Sequence, residues 1–284
     1  STESAVTGVV RSIAGTNSIT GLIDLRSTSG TTGEAGRVAS SYIGVNTGSS
    51  LTFNGQIIGT INDAASTAAN LRALYKVGGG TLQLAGTTTN TITSNHIILN
   101  GTLELNKTPG VNINAIDGNV IVGDNVGGAN ADRLVFMQSN QVADGRTMTV
   151  NSTGQLVFNA GVSDTFSGAI VLTAGTDASS NISFSGGTLN NDVTVNYFPG
   201  TTASSGVTIT GDFSVSAVRT FTVNDGPATN DLTISGIISG AGGITKAGAG
   251  RLTLSGDNTY GGATTINANG GIIRIQHADA LGDT

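Results

Sequence analysis

The feature that most limits the fold of this chain is a short phrase that keeps returning. Gly78-Gly-Gly-Thr-Leu-Gln-Leu-Ala-Gly86 matches Gly248-Ala-Gly-Arg-Leu-Thr-Leu-Ser-Gly256, and Gly101-Thr-Leu-Glu-Leu105 matches Gly271-Ile-Ile-Arg-Ile275 at the same offset. Leu51-Thr-Phe-Asn-Gly-Gln-Ile-Ile-Gly59 is echoed by Leu232-Thr-Ile-Ser-Gly-Ile-Ile-Ser-Gly240. Each phrase sets apolar residues at i and i+2 and then a Gly or Asn. A period of two puts one side of the chain inward and the other outward, which is a half-buried strand. The Gly or Asn that follows takes a positive φ at low cost, so the chain bends there. Such signals recur about every 8 to 12 residues, a spacing that suits a sandwich, a barrel or a solenoid.

The solenoid is favoured. Few Asn-Gly or Asp-Gly pairs join long alternating strands, as a meander requires, and repetition at many places along the chain is what stacked coils produce. Coils of about 20 to 25 residues stacked about 4.8 Å apart predict roughly a dozen coils in a rod of roughly 55 to 65 Å. Residues 1–284 are therefore read as a single all-β solenoid. One stretch breaks the pattern. In residues 62–77, Ala64, Ala68, Leu71 and Tyr75 fall at helical spacing, with Asn62 or Asp63 as cap and Gly78 to Gly80 as stop. This predicts a short helix over 63–77, either a corner insertion covering an apolar edge or a lid.

Composition narrows the function. Gly, Thr, Ser and Asn supply almost half of the 284 residues, and only 11% are charged, with three Lys and three Glu. The net charge is −6 and the 12 basic residues are scattered, so the chain lacks the basic stripe that nucleic acid needs. No apolar run approaches the roughly 20 residues that span a bilayer, and direct membrane insertion is not expected. The absence of Cys removes disulfides and thiolate metal sites, and it suits a chain exported unfolded through an oxidising compartment. Scarce lysine also gives trypsin-like proteases few targets.

Chemistry-bearing residues are sparse, and no catalytic, cofactor-binding or metal-binding residue is assigned. Glycoside hydrolysis needs two carboxylates about 5 to 9.5 Å apart. Asp225 with Asp231 and Asp24 with Glu34 are the pairs that could meet, without clustered Arg, Lys or aromatics to bind a sugar. His96 and His277 are the only histidines. Alternation over Ser94-Asn-His-Ile-Ile-Leu99 allows His96 to face outward. Two histidines so far apart in sequence define no ligand set. Asp117-Gly-Asn-Val-Ile-Val-Gly-Asp-Asn125 lacks the acidic repeat of a calcium loop, and Thr87 to Thr93 is a polar strand face too short for a flat binding array.

The stretch Asp231 to Gly282 closely resembles the autotransporter-associated β-strand repeat of bacterial passenger regions. Its phrase runs Lys246, Gly248, Gly250, Leu252, Leu254, Ser255-Gly256, Asn258, Thr259-Tyr260 and Gly262, with a degenerate copy near 78–105. The resemblance implies a right-handed parallel β-helix outside the cell, exported across an outer membrane by a C-terminal barrel, and a segment of a longer surface protein. It specifies architecture, not activity. In the motif, Leu252 and Leu254 should face the core and Thr253 solvent. Asn258 should bond backbone at a corner, and Tyr260 should lie along the rod with its hydroxyl in water.

The leading expectation is a non-enzymatic extracellular stalk, fibre or adhesion scaffold. Tyr197 and Phe198, in Tyr197-Phe-Pro-Gly200, form the candidate adhesive loop. Expected partners are neighbouring solenoid coils or other copies of the chain, with surface glycans or host receptors for the loop. A self-assembling filament subunit is one alternative, and a polysaccharide-acting β-helix enzyme the other.

Overall fold

The computed structural model describes residues 10–25, 41–59, 73–110, 113–175, 180–202 and 205–283. They form a parallel β-solenoid. Two eleven-stranded sheets run its whole length, with a four-stranded and a two-stranded sheet on a third face. The chain visits the faces in turn: Val10–Ser12 lies in the first long sheet, Thr16–Ile19 in the second and Ile23–Asp24 in the third. Ser41–Val45 then begins the next coil, in parallel register on Val10–Ser12. Among the described residues every strand pairing is parallel. Because each turn of the chain returns to the first face, strands of the two long sheets bond to the coils before and after them, and in those sheets only the end strands have a single neighbour.

Eleven coils agree with the expected dozen. Ten steps of about 4.8 Å give a rod of about 48 Å, shorter than anticipated. The coils consume unequal lengths of chain: 32 residues separate the starts of Ser41–Val45 and Ala73–Val77, but 20 separate Ile244–Ala247 from Thr264–Ile266. The extra residues lie between strands and add nothing to the rise.

The period of two accounts for the interior. In the second sheet Leu51, Leu82, Leu103, Leu134 and Leu156 stand in exact register. Ile182, Ile209, Ile234 and Leu254 continue the same row. All nine are buried. Each such side chain contributes about 1.5–3 kcal/mol over its exposed state. The next inward row carries Phe136 and Phe158, stacked at 4.1 Å, and Phe166 from the third face meets Phe158 edge-on at 5.9 Å. Phe184 and Phe213 carry the cluster on through two further coils.

The helix expected over 63–77 needs correction where the structure describes it. Ala73–Val77 is a strand, paired to Ser41–Val45 on one side and Asn95–Ile98 on the other; residues 60–72 lie outside the described residues. Neighbours on both edges hold this segment extended, since a helix would leave their ladders unpaired. Tyr75, taken as part of a helical face, points outward and stacks on Tyr42 with ring centroids 4.5 Å apart.

His96 is a second correction. It points inward, 1% exposed, in register between Leu74 and Val120. Its Nδ1 lies 3.1 Å from the Ser94 carbonyl and so carries the proton. Burial lowers its pKa to about 4, with the Ser94 carbonyl and the Asp117 charge acting the other way. A base depressed from 6.5 to about 4 contributes stability that is complete above pH 6.5 and is lost as pH falls through 4. The interval is worth about 3 kcal/mol. His96→Met, which matches Met148 in the same row, should abolish that component. Urea unfolding of both proteins at pH 7 and pH 4 checks it, because the difference between them cancels the other titrating groups. An equal acid loss in the two would contradict the assignment.

Candidate functional site

The repeat phrase closes a corner between the two long sheets. Ile244–Ala247 is the tenth strand of the first sheet and Arg251–Leu254 the tenth strand of the second. Gly248, between them, has φ +75°. A Cβ on it would stand 2.4 Å from the Val223 carbonyl oxygen of the preceding coil. Gly256 meets the same restriction against the Gly236 carbonyl at 2.2 Å. Gly250 and Gly262 also lie directly against the previous coil. The glycines of the phrase are thus the places where one coil's backbone rests on another's.

Leu252 and Leu254 are fully buried, as the alternation predicts. Asn258 is also as expected, and clips three coils together: its Oδ1 accepts from Ile238 N at 2.8 Å and its Nδ2 donates to Ala280 O at 2.6 Å. Asn90 does the same in the degenerate copy, accepting from Ile57 N at 2.8 Å and donating to Ala115 O at 2.9 Å. A buried main-chain donor and acceptor that would otherwise be orphaned are satisfied by one amide.

Two expectations fail. Thr253 is 1% exposed, because the loop before Leu232 folds over it and Asn230 Oδ1 accepts its hydroxyl at 2.9 Å. Tyr260 is wholly buried; its hydroxyl is 2.6 Å from Thr264 Oγ1, away from water, and burial raises its pKa. Both side chains are covered by segments from elsewhere in the chain, which strand periodicity does not register.

Lys246 gives the corner its chemistry. The side chain is buried, and its Nζ donates to Ala247 O at 2.7 Å, Gly248 O at 2.6 Å and Gly270 O at 2.7 Å. Lys76 repeats this two residues before Gly78, donating to Gly78 O at 2.6 Å, Asn100 O at 2.8 Å and Val77 O at 3.3 Å. The third lysine, Lys107, is buried at another corner against Ala85 O at 2.9 Å. Burial lowers Lys76 to about 7, opposed by the Asp132 charge, and lowers Lys107 and Lys246 to about 8. Lys76 went unnoticed in the sequence, although two of only three lysines precede a repeat glycine by the same two residues.

Residues 244–274 match the family model of the passenger-associated-transport-repeat. The likeness is to that repeat, over this stretch. No curated protein and no solved structure matches the chain. The repeat covers the lysine corner and the Leu252 and Leu254 core positions, and it reaches into the next coil's strand as far as Arg274. Its degenerate copy reproduces the lysine cage and the asparagine clip in space, so the two copies are equivalent in structure as well as in wording.

The candidate adhesive loop divides into a fixed and an open residue. Tyr197 ends the strand Val193–Tyr197, and its hydroxyl donates to Asp231 Oδ1 at 2.6 Å. Burial, then the Asp231 carboxylate, raises its pKa. Phe198 is 44% exposed. Asp231 also accepts from Gly226 N at 3.2 Å and from Arg251 N at 2.6 Å, so both its oxygens are engaged in holding the passenger repeat to the loop. Of the other suggested pair, Glu34 lies outside the described residues. Asp257, His277 and Asp279, which the sequence did not connect, come together on the surface. His277 Nδ1 is 3.7 Å from Asp257 Oδ1 and 3.9 Å from Asp279 Oδ2, and it accepts from Asp279 N at 3.2 Å.

Proposed function

We propose that this chain is a non-enzymatic rod segment of an exported bacterial passenger, serving at the cell surface as a stalk that carries an adhesive loop. The observation that carries the reading is the unbroken stack of eleven coils ending in a passenger repeat. Such a stack has the length and stiffness of a spacer. Its outward positions are rich in Thr, Ser and Asn, and all three lysine side chains are turned inward, so it stays hydrated with little charge. Asp231, the better-placed carboxylate for hydrolysis, is committed to three hydrogen bonds, which favours the stalk over a polysaccharide-cleaving enzyme.

Adhesion centres on Phe198, an exposed ring beside a tyrosine anchored from behind. Binding of the purified rod to glycan and host-protein arrays should fall at least about tenfold in Phe198→Ser, as expected when an aromatic anchor is removed. Equal binding by wild type and variant would remove the loop from the function. A second reading is a filament of copies stacked end to end, since parallel pairing of coil on coil runs through both long sheets. Electron microscopy of purified protein at micromolar concentration separates the two, since single rods about 50 Å long support the stalk and continuous fibres the filament.

A further inference from the structure

We propose that the Lys-x-Gly corner of the repeat is a main-chain cation site whose resident ligand is the tethered lysine ammonium, and that a free monovalent cation of the ammonium or potassium class fills it when the side chain is removed. The cage around Lys246 Nζ has three oxygens at 2.6–2.7 Å, all peptide carbonyls. Three protons meet three acceptors, so the ammonium is fully satisfied without a counter-ion. Two of the carbonyls, Ala247 and Gly248, come from the lysine's own turn. The third, Gly270, belongs to the next coil, so the cation bridges successive coils.

The second cage is an independent occurrence of the same arrangement. Lys76 Nζ bonds the carbonyls of its own turn, Val77 and Gly78, and that of Asn100 in the next coil. Gly101 and Gly271, which follow the bridging carbonyls, both have positive φ, at 75° and 65°. Lys107, outside the repeat phrase, contacts Ala85 O at 2.9 Å and Gly55 O at 3.4 Å and does not form the three-oxygen cage. Among the described residues neither caged ammonium has a carboxylate within ion-pair distance; Asp132 and Asp231 act on them only at longer range.

The ligand class follows from the oxygens. A neutral carbonyl ring replaces the hydration shell of a large monovalent ion. Calcium and magnesium take more oxygens, carboxylates commonly among them, at shorter bonds of about 2.0–2.6 Å. Carbonyl bonds also favour the charged lysine and so oppose the burial that lowers its pKa.

The test is the thermal midpoint of wild type, Lys246→Ala and Lys246→Met in sodium, potassium, ammonium and n-propylammonium chloride at equal ionic strength. In sodium chloride Lys246→Ala should melt about 5–10 °C below wild type, because three buried carbonyls lose their donor. It should regain about half of that in n-propylammonium, which replaces both the lost stem and the ammonium, and part of it in ammonium or potassium chloride. Lys246→Met should stay low in all four salts, its thioether filling the stem without a charge. A Lys246→Ala midpoint independent of the cation, or a Lys246→Met midpoint equal to wild type, would overturn the proposal. If neither variant folds, amine acetylation of wild type decides: Lys76 and Lys246 should react at least about 100-fold more slowly in the native rod than in urea, and equal rates refute the cage.

Discussion

Gly248→Ala is expected to release the last coils of the rod while leaving its first half intact. The residue sits at φ +75°, where an L side chain costs about 1–2 kcal/mol. The added methyl would also lie 2.4 Å from Val223 O, a main-chain atom that has no rotamer to yield. Moving that carbonyl weakens the bond it receives from Gly250 N at 2.9 Å, and moving Gly248 O disturbs the Lys246 cage. Together these losses amount to about 3–5 kcal/mol. Solenoid coils couple only to their neighbours, so the damage should stay local. Hydrogen exchange should show Arg251–Leu254 and Ile272–Ile275 losing protection, with Leu82 to Leu134 unchanged. Gly261→Ala is the control: a Cβ there has nothing within 4 Å, and an effect within about 0.5 kcal/mol is expected. Equal protection patterns in the two variants would refute the account.

Phe158→Ala should have the largest effect in the middle of the rod. Its ring is 5% exposed, stacks on Phe136 at 4.1 Å and 9°, and supports Phe166 and Phe184 from two other directions. Removing a buried phenylalanine ring costs about 3–5 kcal/mol, and the aromatic pairing adds about 0.5–1.5 kcal/mol. Because the loss falls at the sixth coil of eleven, urea unfolding should change from one transition to two, as the halves separate. Phe158→Leu should lose only about 1–2 kcal/mol, since Leu84 and Leu105 already occupy the same row. A single transition with an unshifted midpoint in Phe158→Ala would show that the aromatic cluster does not couple the halves.

The rows that these variants attack could be read directly from the sequence, because alternation along a strand decides which face a residue takes. Leu252 and Leu254 follow from that rule alone. Asn258 was legible for a different reason: an amide at a corner has backbone groups on either side to satisfy. The rule fails where a second segment decides burial. Thr253 faces outward from its strand but lies under Asn230. Tyr260 lies outside any strand, where alternation assigns no face, and His96 occupies a core row without any apolar signal of its own. Ala73–Val77 shows the same limit, since its helical spacing was overruled by pairing on both edges. The lysines were read as merely scarce; that they point inward depends on carbonyls supplied by the following coil, about 24 residues away in both cases.

The parallel register has a mechanical consequence. The hydrogen bonds that join neighbouring strands lie along the rod's long axis, so a pull on its two ends loads the coils in series. Each junction then bears the full force with only its own few bonds, and the weakest coil opens before the rest feel further strain. A freed coil of 20 to 32 residues pays out about 65–115 Å of extended chain in place of a rise of about 4.8 Å. Stretched between two anchor points, the rod would lengthen in discrete steps and shed load at each one, a ratcheting tether in place of a brittle strut.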